Sequence, residues 1–368
     1  MQKYDVAAYI WPAYTGKEPR TKMFWPEGMG EWETVRAAKP KFEGHLWPRR
    51  PLWGYTEEAD PAVMEMQINE ALRHGVNVFI YDWYWYDQRP FLEQCLNEGF
   101  LKARNNQDMK FYLMWANHDA NYSWDRRISF CKQRHTTIWR GTTDVHNYKK
   151  IAKHWFEDYF TRPNYYKIDN KPLISIYELN CFINTCGGVE KTAEMMTWLN
   201  DEAKQYGLEG VHFQLIYYSS KHTLNLSGVD GGQVVADEII AKLPFDSITH
   251  YQYCHFTDVG RDYEEAMVDV RAEWKNISDK FDIPYFPHVS VGWDCNPRFA
   301  PLRPNILTNN TPEAFEQALR DAKAFADKKG VNMITINSWN EWTEGSYLQP
   351  DDLYGYGYLE AVKKVFKE

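Results

Sequence analysis

The feature that most constrains the fold of this 368-residue chain is a β-rich run followed by a longer amphipathic segment, repeated eight times. Repeated βα units of this kind are typical of a parallel sheet covered by helices. The predicted strands are DVAAYI, NVFIYDW, KFYLMWAN, PLISIYE, VHFQLIYYS, SITHYQY, YFPHVSVGW and MITINSW. Because the chain has no Pro/Gly/Ser-rich linker and no break in composition, we predict one α/β domain over residues 1–368. The predicted fold is a single (β/α)8 TIM barrel rather than two Rossmann-like halves.

The helical segments carry recognisable start and stop signals. The first begins with a capping Asp60 and Pro61 and ends at Gly75. The other predicted helices are RPFLEQCLNEGFLKARNN, NYKKIAKHWFEDYF, GGVEKTAEMMTWLNDEAKQYG, GQVVADEIIAKL, DYEEAMVDVRAEWKNISDKF, TPEAFEQALRDAKAFADKKG and GYGYLEAVKKVFKE. The fifth is weakly defined, since KHTLNLSGVDGG before it has no clear periodicity. The long segment from Trp11 to Asp60, rich in Trp, Pro and Gly, is predicted to be a first β-α loop lying over the barrel mouth.

Polar and aromatic residues follow most of the predicted strands, where the active sites of such barrels lie. The candidate substrate-binding residues are Trp11, Tyr14, Asp82, Trp83, Trp85, Asn117, His118, Glu178, Tyr217, Tyr251, Trp293, Asp294, Arg298 and Trp342. Aromatic rings stack on the flat faces of sugars while nearby polar groups bind the hydroxyls, so this mixture favours a carbohydrate site. A large core would also use many aromatic residues. We expect Glu341, Glu178, Trp293 and Asn117 to converge on one pocket.

Two glutamates, Glu341 and Glu344, stand three positions apart after the last predicted strand. Two neighbouring carboxyls that differ in burial have different pKa values, which supplies an acid and a base. Glycoside cleavage requires such a pair. The alternative is that both glutamates cap the N-terminus of the eighth helix, which attracts negative charge.

Other candidate residues have structural alternatives. Asp294 and Arg298 could form a plain salt bridge. Asp82 and Glu178 could cap loops, although their positions at strand ends favour contacts with ligand hydroxyls.

Metal and phosphate chemistry lack sequence support. His118, Asp119 and His250 could bind a metal, but the chain has no HxH or HExxH spacing. It also has no Walker or GxGxxG sequence and no nucleophile elbow. We therefore predict neither a metal nor a cofactor.

The net charge and the lack of a long apolar run limit which molecules this chain is expected to bind. A formal net charge of -9 argues against nucleic acid, and no apolar run is long enough to span a membrane. The expected partner is an oligo- or polysaccharide.

The six cysteines are predicted to be free thiols, with a Cys181–Cys186 disulfide as the alternative. Because a strand is predicted to begin by Asp5, a removed signal peptide would favour a periplasmic or extracellular location; otherwise the protein is cytoplasmic.

The stretch WNEWTEGSYLQP resembles the WNEWxEGTxxEP signature of glycoside hydrolase family 99 and the related WbsX-like proteins. The blocks AAYIWPAY, FIYDWYW, WAN, IDNKPLISIY and GWDCNPR also resemble WbsX-like blocks in the same order, so the resemblance spans nearly the whole chain. It implies a (β/α)8 barrel that cleaves α-linked mannosides inside a chain with retention of configuration.

The resemblance also implies roles for the two glutamates. Glu341 would deprotonate the 2-hydroxyl of the sugar, which attacks its own anomeric carbon to give a 1,2-anhydro sugar. Glu344 would act as general acid and then as general base. This chemistry requires a 2-hydroxyl trans to the leaving group, as in α-mannosides and α-rhamnosides.

Three positions depart from the family pattern and put the substrate in doubt. Gln349 stands where a glutamate is usual, WANHD replaces the frequent WANEN, and Asp82 stands where an aromatic residue is more common. All three are expected at the barrel mouth. Because WbsX-like proteins have also been labelled glycosyltransferases, a transferase in polysaccharide biosynthesis and a non-catalytic glycan-binding barrel are the alternative functions.

Overall fold

A computed structural model of the chain describes residues 3–226 and 233–367. Its parallel barrel strands are β1 Asp5–Ile10, β2 Val78–Tyr86, β3 Lys110–Trp115, β4 Lys171–Ile176, β5 His212–Ile216, β6 Ser247–Thr249, β7 His288–Ser290 and β8 Met333–Asn337. They are hydrogen-bonded in the order β6-β5-β4-β3-β2-β1-β8-β7. A parallel bridge between Ile248 in β6 and Tyr285 before β7 joins the two ends of this order. The predicted (β/α)8 barrel is confirmed.

The interior of the barrel pairs polar side chains across the strands. The Gln214 side-chain oxygen accepts hydrogen bonds from Ser175 Oγ at 2.5 Å and from Tyr112 Oη at 3.2 Å. The hydroxyls of Thr249 and Thr335 lie 2.8 Å apart. Buried polar groups stabilise a fold only when they are paired in this way. These hydrogen bonds therefore hold the side chains inside the barrel, below the residues at its mouth, in a fixed arrangement.

The α-helices of the described residues are α1 Trp32–Arg36, α2 Pro61–His74, α3 Val145–Trp155, α4 Leu179–Cys186, α5 Val189–Gln205, α6 Ala236–Ile240, α7 Tyr263–Lys280, α8 Pro312–Lys329 and α9 Gly357–Phe366. The signals predicted for α2 act as expected: Asp60 accepts a hydrogen bond from the Ala62 N–H at 2.8 Å, and Gly75 ends the helix at a φ of 98°.

The second predicted helix is wrong in its first part. Asp87 and Gln88 adopt left-handed conformations, with φ of 53° and 59°, and form a two-residue hairpin turn. The chain then returns along β2 as the antiparallel strand Arg89–Phe91. Helical geometry begins only at the π-helical segment Cys95–Gly99 and continues as the 3-10 turn Phe100–Lys102.

The predicted fifth helix is helical only over the five residues of α6, because Gln233–Val235 forms a strand that pairs with Thr223–Asn225. Gly232 of that prediction lies outside the described residues, as does Glu368 at the end of the predicted eighth helix. No helix in the described ranges is long and apolar enough to cross a membrane.

The six cysteines are free, so the Cys181–Cys186 disulfide is wrong. Cys95 and Cys186 are buried, and the other four are partly exposed.

The first β-α loop covers the mouth, as predicted, and is fastened to the loop after β7. Asp294 Oδ2 accepts hydrogen bonds from Trp47 Nε1 at 2.9 Å and lies 2.7 Å from His45 Nε2. The N–H of Leu52 donates to the carbonyl of Pro350 at 2.9 Å. These contacts close the loop over the ends of β7 and β8 and bring its side chains towards the barrel axis.

Candidate active site

A cavity of about 160 Å³ opens at the C-terminal ends of the strands. It is lined by Trp11, Asp82, Tyr84, Met114, Ala116, His118, Trp124, Tyr177, Tyr251, Arg298, Glu341 and Glu344. These residues follow or end β1, β2, β3, β4, β6, β7 and β8. The cavity therefore lies where (β/α)8 barrels carry their chemistry.

A small hairpin after β8 positions the two glutamates. Asn340–Glu341 pairs antiparallel with Ser346–Tyr347 and encloses the 3-10 turn Trp342–Glu344. Gly345 closes the turn at a φ of 63°, a conformation that favours glycine. The helix-capping alternative is wrong, because α9 begins only at Gly357 and has Tyr356 at its N-cap.

Arg298 joins three carboxyls, of which Glu31 and Glu341 are buried. Its guanidinium contacts Glu344 Oε1 at 2.5 Å, Glu341 Oε2 at 3.2 Å and Glu31 Oε1 at 3.2 Å. Glu31 comes from the first loop, is fully buried and also accepts a hydrogen bond from Trp11 Nε1 at 2.5 Å. The alternative of an Asp294–Arg298 salt bridge is wrong, since Asp294 contacts His45 and Trp47 instead.

Burial raises the pKa of Glu341 well above its usual range, and the Glu344 charge raises it further while Arg298 lowers it. Burial likewise raises the pKa of Glu344, against the opposing effect of Arg298. Two such neighbouring carboxyls titrate as a pair, and the rise in their pKa values favours a state in which they hold a proton. Glu344 Oε2 is buried and has no hydrogen-bond partner among the described residues. This oxygen is available to a bound molecule.

Asp82 and Glu341 share one phenol. The Tyr251 hydroxyl lies 3.0 Å from Asp82 Oδ2 and 3.0 Å from Glu341 Oε1. Asp82 Oδ1 is buried and has no partner among the described residues. Burial raises the pKa of Asp82 well above its usual range.

Aromatic rings form the opposite wall of the cavity. Trp11 lies edge-on to Tyr84 at 5.7 Å and 5.4 Å from Trp124, measured between ring centroids. His118 continues this wall, and burial lowers its pKa, so it is neutral near pH 7. Its Nδ1 lies 3.0 Å from the carbonyl of Asp119, which leaves Nε2 as an acceptor. The cavity thus combines apolar ring faces with acidic oxygens.

Seven of the predicted site residues line this cavity: Trp11, Asp82, His118, Tyr251, Arg298, Glu341 and Glu344. The other nine predicted residues do not: Tyr14, Trp83, Trp85, Asn117, Glu178, Tyr217, Trp293, Asp294 and Trp342. Of the four side chains expected to converge there, only Glu341 lines the cavity. That convergence prediction is wrong.

Side-chain alternation along β2 explains why two of the predicted residues do not line the cavity. Asp82 and Tyr84 point into the cavity, so Trp83 and Trp85 point to the other face of the strand. Trp83 packs edge-on against Trp155 of α3 at 5.5 Å.

Four other predicted residues support the site from outside it. Asn117 bonds the backbone of Glu178 on both sides, and Glu178 caps α4 by accepting from the Asn180 N–H at 3.2 Å. Tyr14 accepts a hydrogen bond from the Trp342 N–H at 3.1 Å. Their roles are local hydrogen bonding rather than contact with the cavity.

Tyr217 lies further away, where its hydroxyl donates to Asp237 at 2.8 Å. Trp293 and Asp294 line a neighbouring cavity of about 260 Å³ under the first loop.

The predicted site residues do not include Glu31, Tyr84, Trp124 and Tyr177. The position of Tyr84 after the second predicted strand, two residues from Asp82, does mark it as a residue of the mouth. Glu31 has no such signal, because its position depends on the path of a long loop. Gln349 was expected at the mouth, yet it lies in a buried network that joins Trp342 Nε1, at 2.6 Å, to Glu58 Oε1, at 3.0 Å.

Within residues 3–226 and 233–367, no three His, Cys, Asp or Glu side chains are arranged to hold a metal ion. His118, Asp119 and His250 do not form such a group; His250 Nδ1 is engaged with Tyr285 Oη at 2.8 Å, and Asp119 binds the Gly141 N–H at 2.9 Å.

Comparison with known proteins places this site in a family. A family model described as glycosyltransferase WbsX matches residues 6–362. The chain belongs to the WbsX family. An uncharacterized protein WxcX from Xanthomonas campestris pv. campestris is 25% identical over 355 residues, which are 94% of this chain and 47% of that protein. This WbsX chain thus spans about half the length of the curated relatives it matches.

Solved structures show the same fold as the WbsX chain. A GH99 endo-alpha-mannosidase from Bacteroides thetaiotaomicron aligns with a TM-score of 0.64 at 12% identity, covering 100% of this chain and 97% of that one. A protein described as glycoside hydrolase-like aligns with a TM-score of 0.60 at 16% identity, covering 100% and 94%. Both alignments extend over the whole barrel, so they show that the chain resembles family 99 in its fold.

Proposed function

We propose that this WbsX-family chain is a retaining glycoside hydrolase that cleaves an α-linked, mannoside- or rhamnoside-like glycan. The observation that carries the proposal is the pair Glu341, which is buried, and Glu344, whose side chain is 12% exposed; the two carboxyls share one guanidinium at the barrel mouth. General acid–base cleavage of a glycosidic bond needs two such groups, one protonated and one ionised.

Hydrogen bonding favours different roles for the two carboxyls. Glu341 accepts from both Tyr251 and Arg298, and these two hydrogen bonds oppose the rise that burial causes in its pKa, which suits a base. Glu344 accepts only from Arg298 on Oε1, so its unpartnered Oε2 is the oxygen that can carry a proton. In the proposed reaction, Glu341 takes the proton of the sugar 2-hydroxyl as that oxygen attacks the anomeric carbon. Glu344 protonates the leaving oxygen and later deprotonates the water that opens the 1,2-anhydro sugar, while Glu341 returns its proton to the 2-oxygen.

The shape of the cavity supports a sugar ligand. Its volume of about 160 Å³ is below the roughly 300–1,000 Å³ of drug-sized pockets and suits a single sugar residue. Trp11, Tyr84 and Trp124 offer ring faces, and His118 Nε2 offers an acceptor for a hydroxyl. The remaining units of a glycan would lie outside this cavity.

Charge argues against a sugar nucleotide as donor substrate, although the family carries a transferase name. Arg298 is the one cationic side chain among the described residues that line the cavity, and three carboxyls already contact it. A diphosphate entering this cavity would meet excess negative charge, whereas a neutral glycan would not.

The test is pre-steady-state release of an aryl group from activated and poor α-mannosides and α-rhamnosides by the wild type and by Glu341→Gln and Glu344→Gln. We expect Glu344→Gln to lose about 10²–10⁴-fold on poor leaving groups and much less on activated ones, because these barely need protonation. Glu341→Gln should lose activity on both. Glu265→Gln, on the exposed face of α7, is the matched control.

Wild-type-like turnover in both glutamine variants would refute the catalytic pair. Transfer of sugar from a sugar nucleotide, without hydrolysis of any α-glycoside, would replace the hydrolase by the transferase. Glycan binding with no product in either assay would indicate a binding barrel.

A further inference from the structure

The contact between Tyr251 and two carboxyls implies an extra proton. A phenol has one proton and can donate it to only one acceptor, yet its oxygen lies 3.0 Å from Asp82 Oδ2 and 3.0 Å from Glu341 Oε1. The second contact is a hydrogen bond only if that carboxyl carries a proton and donates it to the phenol oxygen. Otherwise two buried carboxylate oxygens would face the same hydroxyl with one of them unsatisfied, which is costly.

The surroundings decide which carboxyl holds this proton. Glu341 Oε2 contacts the guanidinium of Arg298, which stabilises negative charge on Glu341. Asp82 is 3% exposed and has no ion pair among the described residues, and its Oδ1 accepts no hydrogen bond from them. A buried carboxyl without a cation is the one that remains neutral.

The other titratable groups around Asp82, Tyr251 and Glu341 do not change the conclusion that Asp82 is the neutral carboxyl. They are Tyr9, Tyr84, Tyr177, His255, Glu31 and Glu344. Burial lowers the pKa of His255 to about 3, so it carries no charge near neutral pH. Glu344 disfavours ionisation of Asp82 whenever Glu344 is itself ionised, so neither protonation state of Glu344 favours a charged Asp82.

We propose that Asp82 is a positioning residue that acts on Glu341 through Tyr251. Asp82 holds a proton on Oδ2 and donates it to the Tyr251 oxygen, and Tyr251 donates its own proton to Glu341 Oε1. This chain fixes the direction of the phenol and keeps Glu341 in the carboxylate form. When Glu341 takes the proton of the substrate hydroxyl, both protons of the chain stay where they are. The inference rests on the proposed role of Glu341 as base.

Three variants test the proposal. Asp82→Asn keeps a donor beside the phenol and cannot ionise, so it should mimic the protonated acid and keep turnover within about tenfold of wild type. Asp82→Leu keeps the branched shape of the side chain, although its methyl groups are bulkier than the carboxyl oxygens, and removes the donor. Tyr251→Phe removes the bridge. Both should lose about 10²-fold or more in kcat, within the range of acid–base assistance. The control is Asp201→Asn, which changes an exposed carboxyl on α5. Circular dichroism shows whether each variant folds.

An infrared readout separates this inference from the hydrolase proposal, because it needs no substrate. Near pH 7 the wild type and Asp201→Asn should show one protonated-carboxyl C=O band that Asp82→Asn lacks, in addition to any band from Glu344, the proposed acid, and from Glu58, whose pKa burial raises to about 7. Loss of that band in Glu341→Gln with its retention in Asp82→Asn would overturn the inference, since the proton would then reside on Glu341. Equal losses of kcat in Asp82→Asn and Asp82→Leu would also overturn it, because Asp82 would then be needed as a carboxylate.

Discussion

Replacing Arg298 by methionine removes the cation that three carboxyls share. The guanidinium contacts Glu31, Glu341 and Glu344 at 3.2, 3.2 and 2.5 Å. Methionine has a comparable length and no charge, so the variant keeps most of the packing and leaves the carboxyls without a counter-ion.

The magnitude follows from these contacts. At an effective dielectric constant of about 20, one pair at 3.2 Å interacts by about 5 kcal/mol before desolvation is counted. Removing one partner of a buried ion pair costs about 3–5 kcal/mol in measured cases. We expect Arg298→Met to lose about 3–5 kcal/mol of unfolding free energy near pH 8.

The loss should shrink in acid. Burial already raises the pKa of Glu341 and of Glu344, and Arg298 opposes that rise. Without the guanidinium these folded-state pKa values rise further above their unfolded values, so the folded variant binds more protons than its unfolded chain. Stability then falls as the pH rises, by about 1.4 kcal/mol per pH unit for each extra proton held.

The assay is urea unfolding followed by tryptophan fluorescence at about pH 5.5 and about pH 8. Arg320→Met is the control, because Arg320 pairs with Glu316 on the outer side of α8 and such surface pairs contribute about 0–1 kcal/mol. A loss in Arg298→Met that matches the control, or one that is the same at both pH values, would refute the account of the shared cation.

Three further outcomes are expected. Gln349→Glu places a second carboxyl 3.0 Å from Glu58, whose pKa burial raises to about 7. The free energy of unfolding should therefore fall by on the order of 1–3 kcal/mol near pH 8 and recover in acid. A change that is independent of pH would contradict this. Trp124→Ala removes one aromatic wall of the cavity, so KM on an aryl glycoside should rise about tenfold with a smaller change in kcat, and a change in kcat alone would contradict a binding role. EDTA should leave hydrolysis unchanged, because the two carboxyls need no metal, and a loss restored by a divalent ion would overturn this.

The fold and the position of the proposed catalytic pair could be predicted from the sequence alone. Eight β-rich runs separated by amphipathic segments determine the barrel, because each period specifies an element and its buried face. The rule that barrel chemistry lies after the strands then places Glu341 and Glu344 at the mouth. Prediction failed locally where turn geometry decided, as at Asp87 and Gln88, whose left-handed turn converts a predicted helix into a hairpin.

Only the tertiary structure decided which side chains line the cavity or contact those that do. Glu31 meets Arg298 across 267 positions because a long loop folds over the mouth, and no periodic pattern records the path of such a loop. Asp82 and Tyr251 likewise meet across 169 positions on different strands. Sequence therefore determined which elements form and which ends they expose, since local patterns govern both. Which charges become partners depends on long-range contacts that exist only once the barrel has closed.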